Sequence, residues 1–463
     1  MPARDPLDAA VTAARRHLAA LPERPVRPAR DGEEVGLLLP PELPEERSDP
    51  ASTIDALEAA VESGLLATAS PRFFGWVVGG TLPVALAADW LVSTWDSVGG
   101  VSAAAPALAR IEEQAGAWLL DLLRLPPGAS FGFTTGCQAA HVTALAAARH
   151  ELLRRRGLDV ESAGLSGSPR LRILAADDRH ITVDLALRYL GIGTDALTLL
   201  PSDEQGRVHP SVFEEELAAD ESAPTIVIAQ AGNIHTGGFE DFAGICSVAH
   251  RTGAWVHVDG AFGLWVSASD SLRHLAAGVE HADSWATDAH KVLNTPHDCG
   301  FVACAAPEAH RAAMSGTGSY VAFHESERDP NAWVLEYSRR ARAIPVWAAL
   351  RTLGRSGVAN LVLGLHERAR QFADLLIGQA GIAILNDVVF NQVLVRFDDS
   401  DEVTQSVIAA AQRDGVMWLG GSRWRDQLVA RISVCNHATT AADVERSAQA
   451  LLAAFGAVAP VHS

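Results

Sequence analysis

The chain has 463 residues, 48% of them hydrophobic and 20% charged, a globular composition that excludes a disordered chain and leaves room for two or three domains around a large core. With 37 Lys plus Arg against 56 Asp plus Glu the formal charge is −19, which argues against nucleic acid or an anionic membrane as partner.

In chain order, residues 1–30 alternate Ala and Leu with charges and read as an amphipathic helix without the apolar core of a signal peptide. Residues 31–52, rich in Pro and acids, read as an irregular arm. Helices follow at 53–66, with Thr53 near the cap, at 83–98, and at 105–124, where Pro106 falls in the first turn. From about 130 short apolar or β-branched runs alternate with helical stretches. Strands are predicted at 171–176, 225–229, 255–259, 284–287 and 300–305, with helices at 138–155 and 240–252. This alternation predicts a mostly parallel, doubly wound sheet whose ligands bind at the C-terminal strand ends. Residues 315–332 read as a loop. A long helix (345–376), strands at 392–397 and 428–434, and helices at 401–413 and 441–455 then form a smaller α+β domain. No run of 18 apolar residues predicts a membrane span. Three regions are expected: a helical arm over 1–100, a large α/β domain over 101–345 and a small domain over 346–463.

The five cysteines are odd in number, scattered and without a CxxC pair, as expected of reduced thiols in a cytoplasmic protein. Of the 37 basic residues, 36 are Arg and one, Lys291, is Lys. A guanidinium replaces an ammonium at most surfaces but cannot act as an imine-forming amine. Codon bias with one chance survivor is the plain alternative, so the neighbouring residues decide.

Four features fall at strand ends or helix starts. Thr135-Gly136-Cys137 precedes an Ala-rich helix, where backbone N–H groups and the helix dipole suit a phosphate. His180 follows a strand and can stack on a planar ring. Asp259 closes the apolar run Trp255-Val256-His257-Val258, where a buried carboxylate needs a cationic partner such as a protonated pyridine. The small residues Gly260 and Ala261 after it leave room for a flat ligand. Lys291 follows His290 one strand later, 32 residues after Asp259. A structural Lys–Asp ion pair is the alternative. Together the four point to pyridoxal 5′-phosphate. His235, His257 and His297 lack metal-ligand spacing, and no metal is expected.

The stretches PRFFGWVVGG, FTTGCQAAHVTALAAAR, DDRHITVDLALRYLGIG, QAGNIHTGGFEDFAGICSVAHRTGAWVHVDGAFG, DSWATDAHKVLNTPHDCG, SRRARAIPVWAALRTLG and RISVCNHATTAADVE, spanning about residues 70–445, carry a family resemblance. The chain resembles the pyridoxal-dependent group II amino-acid decarboxylases, the aromatic-L-amino-acid and glutamate decarboxylases. The resemblance implies the aspartate-aminotransferase-like fold (fold type I of the pyridoxal enzymes), a homodimer wrapped by the N-terminal arm, and decarboxylation of an L-amino acid, aromatic or bulky apolar side chains being candidates. It implies that Lys291 carries the cofactor through a Schiff base and that Asp259 pairs with the ring nitrogen. His180 and Ala261 would flank the ring, with Gln230 nearby, and Thr135, Gly136 and Cys137 would hold the phosphate. His290 would sit near the substrate carboxylate, and Trp76 and Val77 would line the substrate pocket.

Two departures qualify this. Cys137 stands where the family carries Ser, Thr or Gly. The family's loop tyrosine, taken as the proton donor to Cα, has no counterpart near Pro330; Tyr320 and Tyr337 are displaced, and Tyr320, His324 or a partner-chain residue are substitutes. An altered outcome, such as decarboxylation-coupled oxidative deamination or another pyridoxal lyase or aminotransferase reaction, is the alternative, with a non-catalytic cofactor-binding protein behind it. Arg431 is a further candidate for the substrate carboxylate; Trp418, Trp424 and the Gly420-Gly421 turn are expected to pack the small domain.

Overall fold

The structure, a computed structural model, describes residues 4–316 and 328–458. The N-terminal segment holds α1 (Pro6–Ala20), α2 (Gly32–Gly36), α3 (Pro50–Glu62), α4 (Pro83–Trp95) and α5 (Pro106–Leu122). α1 stops ten residues short of the helix expected over 1–30, because Pro22, Pro25 and Pro28 remove N–H donors in succession. The arm expected to be irregular contains α2, closed by a reciprocal capping box between Asp31 and Glu34. Asp49, not Thr53, caps α3.

The large sheet is built from β1 (Ser130–Thr134), β2 (Arg172–Ala176), β3 (Leu197–Leu200), β4 (Thr225–Gln230), β5 (Trp255–Asp259), β6 (Ser284–Asp288) and β7 (Gly300–Cys304). Their order is β1-β7-β6-β5-β4-β2-β3, with β7 antiparallel to both neighbours and the remaining pairs parallel. β1, β4, β5, β6 and β7 are buried along their whole length, as strands covered on both faces must be. The covering helices are α6 (Cys137–Arg154), α7 (Val160–Ala163), α8 (Ile181–Tyr189), α9 (Pro210–Ala219), α10 (Phe242–Arg251) and α11 (Pro307–Met314). β1 and β3 were not anticipated: β1 reads as a Gly-containing turn approach, and β3 is a half-exposed edge strand.

α12 (Ala343–Leu376) leads to the antiparallel sheet β10-β11-β9-β8, made of β8 (Ile382–Ile384), β9 (Gln392–Phe397), β10 (Gly420–Trp424) and β11 (Gln427–Ser433). It is backed by α13 (Asp401–Asp414) and α14 (Ala441–Val458). Gly420 and Gly421 form no turn; they open β10 and pair with Arg431 and Ala430 of β11. Arg431 accordingly lies inside its strand. The N-terminal segment is tied to the small sheet by Arg72, whose buried guanidinium donates to the carbonyls of Pro22 (2.7 Å), Arg24 (2.9 Å) and Val416 (2.7 Å). Among the described residues no helix is long and apolar enough to cross a membrane.

Candidate active site

β4, β5 and β6 are adjacent and parallel, so their C-terminal residues Gln230, Asp259 and Asp288 arrive side by side, with Gln230 in register with Asp259. All three are buried. The turn after β6 presents Lys291, whose Nζ lies 3.1 Å from Asp288 Oδ2. Burial works against its charge, but the carboxylates of Asp288 and Asp259 outweigh it and raise the ammonium above its ordinary range. Backbone from the N-terminal segment packs on this turn: a Cβ on Gly79 would stand 2.1 Å from the Lys291 carbonyl oxygen, so only glycine fits.

His290 stacks on His297, ring centroids 4.2 Å apart. Its Nδ1 accepts the Cys299 N–H at 3.2 Å, so the neutral ring carries its proton on Nε2, which lies 3.7 Å from Asp288 Oδ2. Burial lowers its pKa and favours this neutral form.

Thr135 and Gly136 lead into α6, which has no side-chain cap. Its first-turn N–H groups therefore remain available to an anion, except that of Cys137, which donates to Asp288 Oδ1 at 2.7 Å. A cleft of about 370 Å³ opens beside Thr135, Gly136 and Gln138, rimmed by Tyr189 and Leu335. His180 is the N-cap of α8: its Nδ1 accepts from the Thr182 N–H (3.4 Å) and contacts the Thr182 hydroxyl (2.7 Å), which fixes the ring's orientation. Burial lowers its pKa. Ala261 packs with Cys137, Ala140, Ala144, Ala286 and Val302, and its N–H donates to Asp259 Oδ1 at 3.2 Å.

Asp259 is held below the usual carboxylate range; burial alone would raise it, and attraction to His141, with contributions from His180 and Lys291, overcomes that. The arrangement fits pyridoxal phosphate on its own terms. The buried Nε2 of Gln230 has no hydrogen-bond partner among the described residues, a donor waiting for an oxygen on a ligand beside Asp259. An uncapped helix start suits a phosphate, and a buried carboxylate suits a pyridinium.

The substrate-side residues are placed less uniformly. Val77 is buried with Phe74 and Leu82 in the main core, while Trp76 is 57% exposed with its ring 5.8 Å from Phe73. Arg431 reaches from β11 to the Ile234 carbonyl (3.0 Å) and has no carboxylate partner among the described residues; burial lowers its pKa to about 10. Its charge is close enough to lower the pKa values of His180 and His235. Trp418 packs on Phe73 and the N-terminal segment, and Trp424 lies 5.2 Å from His235. Pro330 is buried in a 3-10 turn and Tyr337 is 42% exposed, while Tyr320 and His324 lie outside the described residues.

Two residues at the site escaped the sequence reading. Asp288 was visible as the last residue of a strand, at the position equivalent to Asp259. His141 carried only the signal of its spacing, one helical turn after Cys137. Ligand-type atoms of Cys137, His141 and Asp259 lie within 4.8 Å of one another, but burial raises the Cys137 thiol well above its ordinary range and disfavours the thiolate a metal would need.

The family description "Pyridoxal-dependent decarboxylase conserved domain" matches residues 33–398. The chain is 27% identical to tryptophan decarboxylase 1 of Oryza sativa over 82% of this chain and 80% of that protein. It is 25% identical to human cysteine sulfinic acid decarboxylase, covering 80% and 75%. The crystal structure of Oryza sativa tryptophan decarboxylase with pyridoxal phosphate and tryptamine shares its fold, with a TM-score of 0.91 over 99% of both chains at 23% identity. The chain belongs to the pyridoxal-dependent decarboxylases, carboxy-lyases that use pyridoxal 5′-phosphate to release CO2 from an L-amino acid.

Proposed function

We propose that Lys291, Asp259, His180 and His290 carry the decarboxylation, and that the substrate bears an aromatic or bulky apolar side chain. The observation behind the first part is the pairing of the chain's one lysine, half-buried, with the buried strand-end carboxylate of Asp288, beside the unpartnered amide of Gln230. When bound, the cofactor supplies an electron sink for the pair left at Cα as CO2 departs. Lys291 provides the amine that joins the cofactor's aldehyde and is displaced by the substrate amine. Asp259 keeps a positive charge on the ring nitrogen. His180 and Ala261 would flank the ring, Gln230 would donate to an oxygen on it, and Thr135, Gly136 and the free first-turn N–H groups of α6 would hold the phosphate, whereas the Cys137 N–H expected to join them is taken by Asp288. His290, with its proton on Nε2, donates to the substrate carboxylate. Trp76 and Val77 define the side-chain pocket, and Arg431 serves as a second anchor for a carboxylate.

Three broader readings accompany this. Of the twenty large apolar side chains exposed among the described residues, fourteen lie before residue 101, which supports a homodimer wrapped by residues 1–100. The large and small sheets support a division into domains over 101–345 and 346–463. Five free, buried cysteines support a cytoplasmic protein.

The test is a screen of the common L-amino acids and aromatic analogues, following CO2, oxygen, peroxide and aldehyde together. CO2 release without stoichiometric oxygen uptake, greatest for aromatic substrates, is expected; preference for an acidic substrate would overturn the side-chain assignment. Lys291→Ala should lose the visible cofactor absorbance, and an unchanged spectrum would sink the role of Lys291.

A further inference from the structure

Behind Asp259 a line of polar side chains runs into the core. His141 Nε2 lies 3.5 Å from Asp259 Oδ2, and His141 Nδ1 is 2.9 Å from His257 Nε2. His257 Nδ1 is 2.9 Å from Ser284 Oγ, which also accepts the Trp255 indole N–H at 2.9 Å. His141, His257 and Ser284 are fully buried and Trp255 nearly so. Burying imidazoles costs free energy unless their nitrogens are paired, and apolar residues would fill the same space.

The direction of the line follows from its near end. A carboxylate can only accept, so His141 gives its Nε2–H to Asp259 and leaves Nδ1 to accept. His257 then carries its ring proton on Nε2 and donates to His141 Nδ1. That leaves His257 Nδ1 to accept the Ser284 hydroxyl, whose oxygen accepts the Trp255 indole N–H. Each link has one donor, so the residue without choice orders all the others.

We propose that Trp255, Ser284, His257 and His141 form a proton-ordered chain that positions Asp259 and keeps the cofactor's ring nitrogen protonated. The proposal rests on reading Asp259 as the partner of that nitrogen, and the histidines act through Asp259 as positioning residues. Burial pushes His257 down to about 3, so it stays neutral, as the ordering requires. The other groups facing Asp259 do not replace His141. Cys137, 3.9 Å away on α6, and the Ala261 N–H both meet Oδ1, whereas His141 meets Oδ2. His180 at the start of α8 and Lys291 beyond β6 act on Asp259 by charge.

The test is NMR of the enzyme loaded with nitrogen-15-labelled pyridoxal phosphate, following ring-nitrogen protonation against pH. His257→Leu removes the donor to His141 while keeping apolar bulk. It should lower the ring-nitrogen pKa by about one unit, with kcat down about tenfold and KM unchanged. His257→Gln, whose amide nitrogen reaches the place of Nε2, should restore most of both. Ser284→Ala, a milder change one link further back, should shift the nitrogen in the same direction. A folded His257→Leu or Ser284→Ala enzyme with the wild-type nitrogen titration would overturn the proposal. Asp259→Asn separates the two readings. If it also leaves the titration unchanged, Asp259 is not the ring partner; if it alone shifts the titration, the chain behind Asp259 fails.

Discussion

Thirty-six arginines leave lysine a single position, and that position is half-buried, 3.1 Å from a buried carboxylate at a strand end. Charge alone does not explain it, because arginine forms the same ion pair with more hydrogen bonds. Lys291→Arg separates the two properties of the residue. It keeps a cation beside Asp288 but offers no amine that can lose a proton and attack an aldehyde. We expect the protein to fold, to lose the visible absorbance of the linked cofactor, and to release CO2 on the order of a thousandfold more slowly or worse. Retention of more than a tenth of the activity would mean that Lys291 is only a structural cation. Lysine and Asp259 were legible because each breaks a local rule: the one by rarity, the other by ending an apolar strand with a charge. His141 breaks none. A histidine in an Ala-rich helix looks like any helical residue until α6 is laid across β5, and that packing is a property of the fold and not of the local sequence.

Elements follow the same division. β5 and β9 match the sequence reading residue for residue, because apolar and β-branched runs bounded by turn residues leave little choice. β10 was hidden by Gly420 and Gly421, which look like a turn and are held extended by pairing with β11. The segment 338–342 matched the family, but its anchoring depends on partners far away in the chain: Arg339 on Glu112 (2.9 Å), Arg340 on Asp89 (2.7 Å) and Arg342 on Asp298 (3.0 Å). α12 conceals a break of its own. Gly354 has φ 62° and ψ 178°, a conformation closed to L side chains, and the helix turns there. A Cβ at Gly354 would meet nothing within 4 Å, so substitution creates no clash. Gly354→Ala should therefore cost only the backbone term, about 1–3 kcal/mol, and lower the melting temperature by about one to three degrees without altering the cofactor spectrum. An alanine enzyme as stable as wild type would show that α12 can run straight through this point.

Across the molecule most charged side chains among the described residues lie outside the core, while the interior holds titratable groups that pull stability in opposite directions with pH. Glu240, buried and accepting the N–H groups of Gln230 and Val208, is pushed up to about 8 by burial, so it favours the fold less as pH rises from its unfolded value toward 8. His310 acts the other way. It is fully buried between Ser130 Oγ (2.9 Å) and the Trp333 carbonyl (2.9 Å), joining α11 to β1 and to the turn after residue 329. Burial lowers it to about 4. A histidine that is neutral when folded and takes up a proton at about 6.5 when unfolded stabilises fully above that pH, and its contribution fades as pH falls from 6.5 toward 4. The loss from pH 7 to pH 5 is about 2 kcal/mol for this one residue. The wild-type pH profile alone cannot isolate it, because Glu240 gains over the same range. A comparison with His310→Gln can. The substitution carries some constant cost, but it removes the titration and leaves every other buried group in place. The stability difference between wild type and His310→Gln, from denaturant unfolding of the holoenzyme, should shrink by about 2 kcal/mol between pH 7 and pH 5. A difference that does not move with pH would mean that His310 keeps an ordinary pKa in the fold, and that its two hydrogen bonds, not its neutrality, are what α11 depends on.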